Sequence, residues 1–142
     1  MTKNRLMLGA LTVVALTQAG CATQVESLPI APVAAGTSAH DVALYFGAQA
    51  HPAVQSQLGP SSHSVRIART TMGPEASCNK ALQEALDKLI SDARSHHANA
   101  VVNVTTRFHS TESTSSTDYA CGLSTSAAAI AVKGDLVVLK AD

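Results

Sequence analysis

The stretch "GPEASCNKALQEALDKLISDARSHH", Gly73 to His97, constrains the fold more than any other part of the chain. Cys78, Leu82, Ala85, Leu86, Leu89, Ile90 and Ala93 recur at spacings of three and four, which places them on one face of a helix. Pro74 and Glu75 stand at its start, where a missing amide costs nothing and a carboxylate meets the positive end of the dipole. A helix of about twenty residues is roughly 30 Å long, and its apolar stripe needs a surface to cover. Arg94, His96 and His97 fall in the last turn, where donor side chains meet the orphan carbonyls.

The surface it covers is made of strands. "NAVVNVTTRF" (Asn99 to Phe108) is rich in β-branched residues. Strict alternation puts Ala100, Val102, Val104, Thr106 and Phe108 on one side and Val101, Asn103, Thr105 and Arg107 on the other. "DVALYFG", "HSVRIARTT", "YACGL" and "SAAAIAVKGDLVVLK" also read as strands, the last as one long strand or two broken near Gly134. "AQAHPAVQSQLGPSS" reads mostly as loop, and "HSTESTSSTD" as a hairpin connection. These pieces predict an α+β domain over residues 41–142: two layers, with one long helix packed on a mostly antiparallel sheet of about four strands. Ala22 to His40, rich in Ala, Pro, Ser and Thr, reads as a flexible tether (residues 21–40), with Val25, Leu28 and Ile30 available for docking.

Residues 1–20 read as a signal peptide. Lys3 and Arg5 precede the apolar run "LMLGALTVVAL", and small residues lead up to Cys21. The run is well short of the ~20 residues that span a bilayer. Ala19, Gly20 and Cys21 resemble a bacterial lipobox, although Gln18 stands where leucine is usual. That resemblance implies a lipidated (palmitate-bearing) Cys21, and Ala22 after it resembles an outer-membrane sorting signal. The partner is then the lipid bilayer, held through the N-terminal acyl anchor. Ordinary cleavage near Ala19, giving a soluble periplasmic protein, is the other reading.

Cys78 and Cys121 remain. In an oxidising compartment such an even pair reads as a disulfide, with a reactive or metal-binding thiol pair as the rival. Setting aside Lys3 and Arg5, eight basic side chains face ten acidic ones, and the chain has two tyrosines, two phenylalanines and no tryptophan. Nucleic-acid binding calls for a basic footprint and stacking rings. No G-x-x-x-x-G-K-[ST] loop offers to cradle a nucleotide.

"ALQEALDKLISDARSHHANAVVNV" is similar to the helix-to-strand signature of the RcsF/YbjQ-like family, which includes an outer-membrane stress-sensor lipoprotein. "YFGAQAHPAV", "ASCNKALQEAL", "ANAVVNV", "YACG" and "AVKGDLVVL", in this order, resemble uncharacterised proteobacterial lipoproteins of that kind, over Val42 to Leu139. The resemblance implies an RcsF/YbjQ-like fold in the cell envelope. It also implies a Cys78–Cys121 disulfide matched by position relative to the helix, and an envelope protein as partner in stress signalling. Family members usually carry glycine where His97 stands, and some have been called heavy-metal binders.

The residues themselves argue against metal. His96 and His97 are adjacent, so on a helix they diverge by about 100°, whereas helical chelation pairs histidines at i and i+4. His51, beside Pro52, reads as a turn residue, and no short spacing draws His63 or His109 towards the others. His97 reads instead as a left-handed helix cap. There is no G-x-S-x-G elbow and no H-E-x-x-H. The chain reads as a monomeric, non-enzymatic lipoprotein without cofactor. A periplasmic metal- or small-ligand-binding module using His51, His96 or His97, and a purely structural envelope lipoprotein, are the alternatives.

Overall fold

The computed structural model describes residues 23–37 and 41–141. The signal peptide and the lipidation of Cys21 lie outside these. In chain order the elements are β1 (Gln24–Pro29), α1 (Ala31–Thr37), β2 (Ala43–Phe46), β3 (Val54–Ala68), α2 (Pro74–Ser95), β4 (Ala100–Phe108), β5 (Thr111–Ser113), β6 (Asp118–Leu123) and β7 (Ala127–Leu139).

β7 is the spine of a single sheet. Along one side it pairs antiparallel with β3 for its whole length, Ala127 to Leu139 against Ala68 to Val54. Its other side is shared: Ala128 and Ala129 pair with β6, and Ala131 to Val137 pair with β4. β1 lies antiparallel on the outer side of β6. β4 carries β2, in parallel, at its start and the short β5 at its end.

This corrects the fold class. In place of an α+β layer of one helix on about four strands, the described residues are mostly β, with 49% of them in strands and seven strands in one sheet beside two helices. The added strands come from segments whose composition reads as loop or tether. Over residues 24–37 the supposed tether is folded: β1 joins the sheet and α1 follows, with Ile30 and Val33 in the main core. The N-terminal half of β3 contains Gly59 and Pro60, which argue against a strand. The pairing absorbs them through register shifts at Val54/Ser56 and Gln57/Gly59. β3 is also an edge strand, where a proline without an amide is tolerated.

α2 forms as its sequence requires. Cys78, Leu82, Ala85, Leu86, Leu89, Ile90 and Ala93 are all at most 1% exposed, and they meet Val65, Ile67, Val101, Val104, Ile130 and Val132 in one core. A smaller apolar group, Ala100, Val102, Val137 and Leu139, sits apart from that core. The split reveals a bulge in β4. Pairing with β7 skips between Val102 and Thr105, and Asn103 takes a positive φ of 53°. One extra residue reverses the alternation, so Val101 and Val104 both belong to the main core while Ala100 and Val102 do not. The faces assigned by strict alternation therefore hold within each half of β4 but do not continue across the bulge: Ala100 and Val102 lie on the side opposite Val104 and Thr106.

Candidate functional site

α2 is fastened to the sheet at both ends. Near its start, Cys78 is bonded to Cys121 of β6, with both residues fully buried and Cα atoms 6.0 Å apart. One turn of helix beyond the start, Asn79 Oδ1 accepts a hydrogen bond from the Tyr119 hydroxyl at 2.5 Å. Burial, reinforced by the Glu75 carboxylate, pushes the Tyr119 hydroxyl above its usual range, so it is a donor and not a phenolate.

Near the other end, Asp92 receives two side chains from β3. Ser61 Oγ and His63 Nε2 each lie 2.6 Å from Asp92 Oδ2. The Ser61 hydrogen bond first, then that of His63, hold the Asp92 carboxyl below its usual range, against desolvation, which raises it. An ionised carboxylate only accepts, so both neighbours donate to it. The constituents are those of a Ser–His–Asp triad, but the wiring is different. A catalytic imidazole accepts the serine proton; here the hydroxyl goes to the carboxylate. The cluster ties strand to helix.

His96 is the C-cap of α2, and its Nδ1 donates to the Asp92 carbonyl at 2.8 Å. His97 follows with φ 59°, the left-handed position expected of it. Its amide donates to the Arg94 carbonyl and that of Ala98 to the Ala93 carbonyl, at 3.1 and 2.8 Å. This pair of bonds is a Schellman motif built without glycine. His51 is exposed after β2, its Nδ1 donating to the Pro52 carbonyl at 2.7 Å and its ring edge-on to Tyr45 at 5.4 Å. Among the described residues no group of three or more His, Cys, Asp or Glu is placed to hold a metal ion.

The sheet has a second face, away from α2, that sequence reading passed over. Alternation along β3 sends Ser61, His63, Val65 and Ile67 towards the helix and leaves Ser62, Ser64 and Arg66 exposed. Their row partners are Lys133, Ala131 and Ala129 of β7, and beyond these Thr105 and Arg107 of β4 and Gly122 of β6. Three cations, Arg66, Arg107 and Lys133, thus share a floor of alanine, serine and threonine. Lys133 pairs with Glu112 of β5 at 3.5 Å. Two shallow depressions of about 300 and 340 Å³ lie here, both bordered by Arg107. Arg66 and Arg107 are 41 positions apart in the sequence, and only the two flanks of β7 bring them together. No spacing rule could have found them.

Comparison with protein-family models, with curated proteins and with solved structures gives no match to this chain.

Proposed function

We propose that this chain is an envelope lipoprotein: a disulfide-locked, RcsF-like domain anchored to the outer membrane through Cys21, acting by contact with another envelope protein and not by catalysis. Cysteine arithmetic carries the reading. Of three cysteines, Cys78 and Cys121 are joined, and the third follows a basic start, a short apolar run and the small residues Ala19 and Gly20. A buried disulfide suits an oxidising compartment, and a cysteine at the end of a signal-like stretch suits an acyl anchor. The resemblance to the RcsF/YbjQ-like family supports stress signalling as the role. The exposed stretch of the second face around Ser62, Ser64, Arg66 and Arg107 is the natural surface for a partner, since the other end of that face is closed over Ala100, Val102 and Val137.

Palmitate labelling with membrane fractionation tests the anchor. Label in the wild type and none in Cys21→Ser, with the variant released from the outer membrane, is the expected result. Free thiols at Cys78 and Cys121 in protein taken from cells would overturn the compartment. A photo-crosslinker at Ser64, on the open face, should capture a discrete envelope protein that the same group at Ser91 on α2 does not. Equal capture from both positions would count against a specific contact.

A further inference from the structure

The depression of about 340 Å³ on the open face is bordered by Ser64, Arg66, Arg107, Phe108, His109 and Ala129, among others. Arg66 stands opposite Ala129, and Arg107 opposite Ala131, on the two flanks of β7. Strand spacing and rise put their α-carbons roughly 12 Å apart, within reach of two extended arginine side chains, and both residues border the same depression. Both side chains are exposed, and among the described residues neither has a hydrogen-bond or ion-pair partner. The acid nearest in register to Arg107 is Glu112, and its carboxylate reaches Lys133 instead. At one end the ring of Phe108 lies against Gly122, in the space a side chain there would fill, with His109 edge-on to it at 4.2 Å.

The geometry points to a binding site for a small phosphomonoester, of which a sugar phosphate is the simplest fit. Guanidinium forks match phosphate oxygens bidentately and hold their charge at every physiological pH. Two of them neutralise a dianion that one cannot. The Phe108–His109 pair offers an apolar wall for the C–H face of a sugar, and the Ser64 hydroxyl offers a polar contact. A membrane headgroup suits the site less well. Lipid surfaces are met by several apolar side chains that insert, whereas Val25, in the row of Gly122, Ala129 and Arg66, is the one exposed large hydrophobic residue among the described residues. This inference does not depend on the anchor or the compartment.

Titration calorimetry at low ionic strength with glucose 6-phosphate, glucose and inorganic phosphate tests it on the folded, oxidised protein. Glucose 6-phosphate should bind and glucose should not, with inorganic phosphate weaker than the ester. Arg66→Gln and Arg107→Gln should each weaken binding about tenfold, as expected on losing a charge-assisted contact. Glu112→Gln, which removes the local acid, should tighten it. Lys88→Gln, on α2, should change nothing. Thermal melts of every variant confirm that the fold is kept. Absence of binding overturns the inference, as does affinity unchanged by both arginine substitutions or equally weakened by Lys88→Gln. Sedimentation with phosphatidylglycerol vesicles in the absence of glucose 6-phosphate binding would assign the face to a membrane and overturn it too.

Discussion

At the scale of single residues, the helix terminus is where sequence reading was most specific. His97 occupies a left-handed position at φ 59°, which costs a residue with a Cβ about 1 kcal/mol relative to glycine. His97→Gly should therefore raise the free energy of unfolding by about 1 kcal/mol in urea denaturation. A decrease would mean that the imidazole contributes more than the backbone loses. Asp92 gives a pH dependence of definite sign. Its folded pKa lies below 3.8 because Ser61 and His63 donate to it, so below that value the unfolded chain binds the proton first. The stabilisation is present above pH 3.8 and is lost as the pH falls through the lower, folded value. Asp92→Asn should flatten the acid limb of a stability–pH curve. The carboxylate is 38% exposed, so the effect is modest. Gly122 faces the opposite constraint: a Cβ there would stand 2.1 Å from the Phe108 ring. Gly122→Ala should destabilise by about 1–3 kcal/mol, measured in the same denaturation series.

At the scale of elements, legibility followed the strength of periodicity. α2 was legible because seven of its nine buried side chains recur at spacings of three and four, with only Ser77 and Ala81 missing from the stripe as read. β4 was recognisable as a strand but not as a bulged one. Asparagine is among the residues that visit positive φ, but inside a valine and threonine run it does not locate a bulge, and a single slip exchanges the faces. β1 and α1 were hidden because an edge strand and a seven-residue helix bury few side chains, so their sequence looks like linker. Ile30 distinguishes the two descriptions. It is 4% exposed between β1 and α1, and Ile30→Ala should cost about 2–4 kcal/mol; in a solvated tether the same change costs almost nothing. The cationic face was illegible for another reason. Its residues are set by the register of three strands, and register is a tertiary property.

At the scale of the whole molecule, the disulfide joins positions 43 apart, enclosing β4, β5, the first part of β6 and all but the first turn of α2. On the chain-entropy model a loop of that size stabilises by about 4 kcal/mol. The double variant Cys78→Ala/Cys121→Ala, or reduction with dithiothreitol, should lower stability by that order in a urea melt. An unchanged midpoint would place the stability in the sheet alone.

The arrangement of β1 also sets where the molecule yields to force. Any pull on the chain ahead of Gln24 enters the fold through β1, and among the described residues β1 pairs with β6 alone. β6 cannot follow it out, because Cys121 is covalently held to α2. Tension therefore concentrates on one ladder of six residue pairs, Gln24↔Leu123 to Pro29↔Asp118. That ladder is the fuse of the molecule: it parts first, lengthening the leash by the strand and leaving the stapled body folded.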